Sequence, residues 1–254
     1  MQSRQTRNQT RIVSFSGIDG SGKSSQIRSL RLGVEEFGLR VKVITFWDDV
    51  ARLKRIREEA GHAIFRGDKG VGSPSAPIHR RDKNVRSLPM TVVRLALYLV
   101  DALSLRRVAS RALRSDDDLA IFDRYIYDEL ANLTLSNPFI RAYIRFTLWL
   151  VPKPDLCYFL DADPMQARMR KPEYPLDFLV INRQSYLDLS KIIGRVVVTP
   201  PLQINEVKRI VLGKSLDLFQ IKGNQPAKSE KGKGSKNAVE TEILDRPDTQ
   251  PVAL

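Results

Sequence analysis

Cysteine, histidine and tryptophan are scarce in this chain of 254 residues, which holds one Cys, two His and two Trp. The single thiol, Cys157, excludes an intrachain disulfide and fits a reducing compartment, so a cytoplasmic protein is expected. It lies in the apolar run Leu156-Cys-Tyr-Phe-Leu160, where a packed core thiol is expected. His62 and His79 are too few and too scattered for a metal cluster. Long apolar runs are also missing. No uncharged stretch approaches the roughly 20 residues that span a bilayer, and the polar first ten residues contain no apolar signal-peptide core. Acids fall short of bases, with 29 Asp+Glu against 42 Lys+Arg and a net charge of +13.

That excess has an address. Residues 50–115 carry fifteen Lys/Arg against five Asp/Glu, a balance of +10, whereas residues 1–10 contribute +2 and residues 222–254 only +1. A basic internal segment suits an anionic partner: a phosphorylated substrate, nucleic acid or an anionic membrane. It also suits solvated arginine-rich helix faces. The aromatic–basic interleaving of a single-strand binder is lacking. The apolar–basic stretch Phe139–Leu150, with Arg141 and Arg145 four apart, can pack in the core, form a dimer interface or lie on lipid.

What the chain does have is Gly17-Ile-Asp-Gly-Ser-Gly-Lys-Ser24, a G-x-x-x-x-G-K-S stretch between an apolar run, 11–16, and a helical pattern. Strand, glycine-rich turn and helix in that order form the context in which this spacing binds phosphates. Glycines let successive N–H groups point inward, and the helix N-terminus adds the positive end of its dipole. Gly17, Asp19, Gly20, Ser21, Gly22, Lys23, Ser24 and Ser25 are therefore the expected ATP-binding residues. Lys23 would reach the transferring phosphate, and Ser24 would ligate Mg²⁺.

Further strands are expected at 39–46, 119–122, 156–160 and 195–199. Helices are expected over about 22–37, 50–60, 88–114, 126–135, 138–151, 164–171, 176–191 and 205–219. Residues 1–10 and 222–254 read as disordered, and 61–89, with four glycines and three prolines, as a flexible loop. One domain over 11–221 follows. Strands alternating with helices make it an α/β layer fold with a parallel sheet and ligands at the strands' carboxyl ends. Asp123 ends one strand and the glycine-rich turn follows another. Asp123 is the expected carboxylate near Mg²⁺, and Arg124 the expected donor to an anionic acceptor.

Three stretches in this order resemble the thymidylate kinase family of P-loop nucleoside monophosphate kinases. They are Phe15-Ser-Gly-Ile-Asp-Gly-Ser-Gly-Lys-Ser24, Ile121-Phe-Asp-Arg-Tyr125 and Pro154-Asp-Leu-Cys-Tyr-Phe-Leu-Asp-Ala-Asp-Pro164. Leu176-Asp-Phe-Leu179 and Arg183-x-x-Tyr186 add to them. The resemblance implies a P-loop NTPase fold, a three-layer α/β/α sandwich around a five-stranded parallel sheet of order 2-3-1-4-5. It also implies ATP and Mg²⁺, a homodimer and an arginine-bearing lid at about 164–175. In this reading Asp19 faces the acceptor and Arg124 grips it, with Tyr125 and Asp128 alongside. Gly20 stands where one subgroup has an arginine, so the catalytic arginine would come from the lid, as Arg168 or Arg170.

Departures gather on the acceptor side. Phe46-Trp-Asp-Asp-Val50 replaces an Arg-Glu-Pro-Gly-Gly segment, Ala102 replaces a phosphate-binding arginine, and Glu129 and Asn132 replace base-reading residues. Three readings follow. The first is phosphoryl transfer from ATP to a small anionic acceptor, a nucleoside monophosphate. The second is transfer to a hydroxyl, with Asp48 as base and Trp47 stacking on the acceptor. The bland role for Asp48 is to cap the next helix. The third is a nucleotide switch that holds an anionic partner through residues 50–115.

Overall fold

A computed structural model describes residues 9–50 and 88–221. The helix expected over 50–60, the loop 61–89 as far as residue 87, both histidines, residues 1–8 and the 222–254 tail lie outside the described residues.

Five strands form one parallel sheet in the order β2-β3-β1-β4-β5: β1 Arg11–Ser16, β2 Val41–Thr45, β3 Leu119–Asp123, β4 Leu156–Leu160 and β5 Val197–Thr199. Seven helices are described: α1 Lys23–Glu35, α2 Leu88–Ala112, α3 Ile126–Leu130, α4 Pro138–Leu150, α5 Pro164–Arg170, α6 Leu176–Ile193 and α7 Ile204–Asp217. The α/β class and the strand order are those expected from the sequence.

Strand alternation sorts the core into two layers. Ile12, Ile44, Phe122, Cys157 and Phe159 face one side, with Ala102 and Leu105 of α2, Ile126 of α3, Ile144 of α4 and Leu189 of α6. Val13, Phe15, Ile121, Tyr158 and Leu160 face the other, with Ile27 and Leu30 of α1 and Val207 and Val211 of α7. Cys157 is a core thiol whose sulfur lies 3.2 Å from Ser14 Oγ. Burial pushes its pKa up to about 11, well away from a reactive thiolate.

Three elements are shorter than their sequence patterns, and pairing explains the two strands. β2 is an edge strand paired only with β3, from Val41↔Leu119 to Thr45↔Asp123, so nothing extends it beyond that register. β5 pairs only with Tyr158, Phe159 and Leu160 of β4. α3 ends at Leu130, where Asn132 and Leu133 donate to carbonyls three residues back and tighten the chain into turns. After β2 the backbone makes a π-helical turn at Phe46–Val50. Asp49 reaches back there to accept from Thr45 N at 2.7 Å.

Reciprocal bonds align the strands so that their carboxyl ends form one edge. Asp155 N donates to Ile12 O at 2.8 Å, and Ile12 N donates to the Asp155 carboxylate at 2.8 Å. The register Phe15↔Asp123 sets the end of β3 beside the end of β1.

Candidate active site

Gly17, Gly20 and Gly22 adopt φ of 146°, 84° and 90°, values that L side chains rarely take. At Gly20 the constraint is steric as well, since a Cβ there would stand 2.2 Å from Ala167 O in α5. The loop therefore lies directly against the backbone of α5. An arginine at position 20 would be excluded by this contact. Arg170 of α5 donates to Gly20 O at 3.0 Å. Arg168, on the same short helix, is half-buried.

Lys23 is buried and donates to Gly17 O at 2.7 Å and Ile18 O at 3.0 Å. An ammonium has three N–H donors, so the loop's carbonyls use two of them. Burial, followed by the Arg124 charge, lowers its pKa to about 8, and Asp19, Asp128 and Asp123 oppose the shift. Ser21 Oγ is buried without a hydrogen-bond partner among the described residues. An orphaned hydroxyl inside a loop of left-handed glycines suits a ligand rich in acceptor oxygens. Ser24 and Ser25 are exposed on the first turn of α1. The Asp123 carboxylate has its pKa raised by burial, against the opposing charges of Arg124 and Lys23. A hydroxyl and a carboxylate are hard oxygen donors of the kind Mg²⁺ takes together with substrate phosphates. Among the described residues no group of three or more His, Cys, Asp or Glu could cage a metal alone, and this mode of binding does not need one.

Arg124 has φ of 70°, in the left-handed region, and its N–H donates to Phe15 O at 3.0 Å. That turn aims the guanidinium along the sheet edge, where Nη2 donates to Asp19 Oδ1 at 2.5 Å and Nη1 lies 3.7 Å from Asp128 Oδ1. Burial disfavours the charge, yet Asp19 and Asp128 outweigh it and raise the pKa. Lys171, at the end of α5, has its ammonium 4.0 Å from Asp19 and 3.1 Å from the buried Glu173. Asp161 at the end of β4 takes a two-pronged grip from Arg183 of α6, at 2.5 and 2.7 Å.

The loop residues, Asp123, Arg124 and Arg170 thus converge, and two expected acceptor contacts do not join them. Tyr125 is fully buried; its hydroxyl donates to Pro152 O and its ring packs edge-on to Phe122. It belongs to the core because the left-handed turn at Arg124 sends successive side chains in opposite directions. Asp128 is 4% exposed and its carboxylate is occupied by protein groups, so it backs the site and does not line it. Trp47 is half-buried, edge-on to Phe46 and packed on the core, whereas Asp48 is exposed just beyond β2. Lys171 and Glu173 carry no motif, and sequence reasoning passed over them. Their only signal is a Lys-x-Glu pair just after α5.

No family model matches the chain. It is 27% identical over 186 residues to a probable thymidylate kinase of Methanosphaera stadtmanae, covering 70% of this chain and 83% of that protein. A thymidylate kinase of Bifidobacterium longum is 26% identical over 189 residues with the same coverage. Among solved structures, the thymidylate kinase of Candida albicans superposes with a TM-score of 0.56 at 18% identity, over 84% of this chain and 93% of that one. At that identity the match speaks for the fold alone.

Proposed function

We propose that this distant homologue of the thymidylate kinases is an ATP- and Mg²⁺-dependent kinase that transfers a phosphoryl group to a small acceptor, with nucleoside monophosphates the first class to test. The observation that carries the reading is one edge with two halves. The glycine loop with buried Lys23 forms the donor half, and Arg124 with Asp19 forms the facing half. Mg²⁺, held by Ser24 and Asp123, would neutralise charge on the transferring group. Lys23 contributes a fixed positive charge, and its remaining N–H is free to meet a phosphate oxygen. Arg170, resting on Gly20, brings a second cation with the lid. An acceptor phosphate is already anionic, so positioning and charge would supply most of the rate.

A second reading has its own support. Both acceptor-side cations, Arg124 and Lys171, are already paired with carboxylates, and Asp48 stands exposed beyond β2. A hydroxyl acceptor would tolerate that pairing and would need a base such as Asp48. The two readings separate on a panel of nucleoside monophosphates, nucleosides and sugars assayed with wild type and Asp48→Asn. A phosphate acceptor predicts near-normal rates in the variant. A hydroxyl acceptor predicts loss of most activity with the fold intact. The buried lone thiol fits action in a reducing compartment.

A further inference from the structure

Asp128 makes more contacts than a helix-starting acid needs. Its Oδ2 accepts from Ser16 Oγ at 2.6 Å and from Tyr125 N at 3.3 Å. Its Oδ1 accepts from Tyr186 Oη at 2.9 Å and lies 3.7 Å from the Arg124 guanidinium. These partners belong to three different parts of the edge. Ser16 is the last residue of β1, one step before the glycine loop that carries Asp19. Tyr125 N is the amide that follows the left-handed residue Arg124. Tyr186 belongs to α6, which also holds Asp161 through Arg183.

We infer that Asp128 is a positioning residue, which fixes Arg124 against Asp19 by tying the start of the glycine loop, the left-handed turn and α6 to one buried carboxylate. This inference rests on the kinase reading for its consequence, although not for its geometry. An arginine in a left-handed backbone relaxes readily unless its neighbours over-determine it. Asp128 does so on two sides, through the amide after Arg124 and through the charge beside its guanidinium. The arrangement presents Arg124 already oriented, with Asp19 on one edge, so an acceptor meets a cation that pays little to be placed. An asparagine has one acceptor oxygen and one amide where the carboxylate has two acceptors. It would turn its NH₂ either toward the Tyr125 amide or toward the Arg124 guanidinium, groups that can only donate, while the hydroxyls of Ser16 and Tyr186 could rotate to accept.

The test uses the full chain with Asp128→Asn, Tyr186→Phe and the double variant. Tyr186→Phe removes only the hydroxyl on Oδ1, and its ring keeps its packing. Two readouts are taken. The first is hydrogen exchange of the Arg124 Nε–H by NMR, its resonance identified with Arg124→Lys. The second is KM and kcat for ATP and for the acceptor. Exchange is expected to speed up at least tenfold in Asp128→Asn and severalfold in Tyr186→Phe. kcat/KM for the acceptor is expected to fall about tenfold in Asp128→Asn, with the KM for ATP unchanged within about twofold. The double variant is expected to be no worse than Asp128→Asn, because both changes break one linkage. Unchanged exchange, or parallel shifts in the KM values of both substrates, would overturn the role. If wild type turns over no acceptor, the kinase reading fails and the exchange measurement still decides Asp128.

Discussion

Lys23 states the chemistry of the site most compactly, because its charge is both costly and useful. Lowering its pKa from 10.5 to about 8 corresponds to roughly 3 kcal/mol of burial cost at neutral pH. The stability effect has a definite sign. Between about pH 8 and 10.5 the unfolded chain binds the proton that the folded chain has lost, so this group's contribution to stability rises with pH across that window. Function should run the other way. In a kcat/KM profile of the free enzyme, activity is expected to hold below about pH 8 and fall roughly tenfold per unit above it. Arg124→Lys keeps the charge and loses the fork that meets Asp19. It should lower kcat/KM for the acceptor by about ten- to a hundredfold, with the KM for ATP nearly unchanged, in steady-state kinetics with each substrate varied. Lys23 was legible from its motif and Arg124 from its place after an apolar strand. The burial of Tyr125 was not, because it depends on a backbone turn that a residue's identity does not announce.

At the scale of elements, the glycine loop and α5 meet through backbone. Gly20→Ala adds a methyl where Ala167 O already stands, on a backbone whose left-handed strain alone costs about 1–2 kcal/mol. Thermal unfolding should show a lower midpoint, and ATP binding should weaken as α5 is pushed off the loop. The clamp between β1 and β4 offers a contrast remote from the site. Asp155→Ala leaves the buried Ile12 amide without its acceptor, so a loss of about 1–3 kcal/mol is expected in denaturant titration. β3 and β4 were readable because they are buried and almost wholly apolar, and β1 because its apolar residues lead straight into the glycine spacing. The limits of β2 and β5 were not, because the length of an edge strand is set by its single neighbour. Asp49 illustrates the same limit, since no local pattern announces that its carboxylate closes the turn behind it at Thr45.

For the molecule as a whole, the sheet order gathers onto one edge residues that lie more than a hundred positions apart, such as Asp19 and Arg124. The glycine loop was legible because its left-handed turns are a local backbone geometry, which glycine spacing records. The facing side is assembled from the ends of β3 and α5 and the middle of α6, and its ion pairs leave no local pattern. Much of the excess basic charge lies in residues 51–87, outside the described residues. The α2 and α4 surfaces add exposed apolar side chains, among them Val92, Phe139 and Trp149. No described helix is long and apolar enough to cross a membrane.

The most direct test of the central claim is to follow ADP and phosphorylated acceptor together, across the acceptor panel with Mg²⁺-ATP, for wild type and Lys23→Ala. The expected result is equal amounts of the two products from at least one acceptor in wild type, and loss of both in Lys23→Ala. ADP release that ignores every acceptor, or transfer that survives the loss of Lys23, would contradict it.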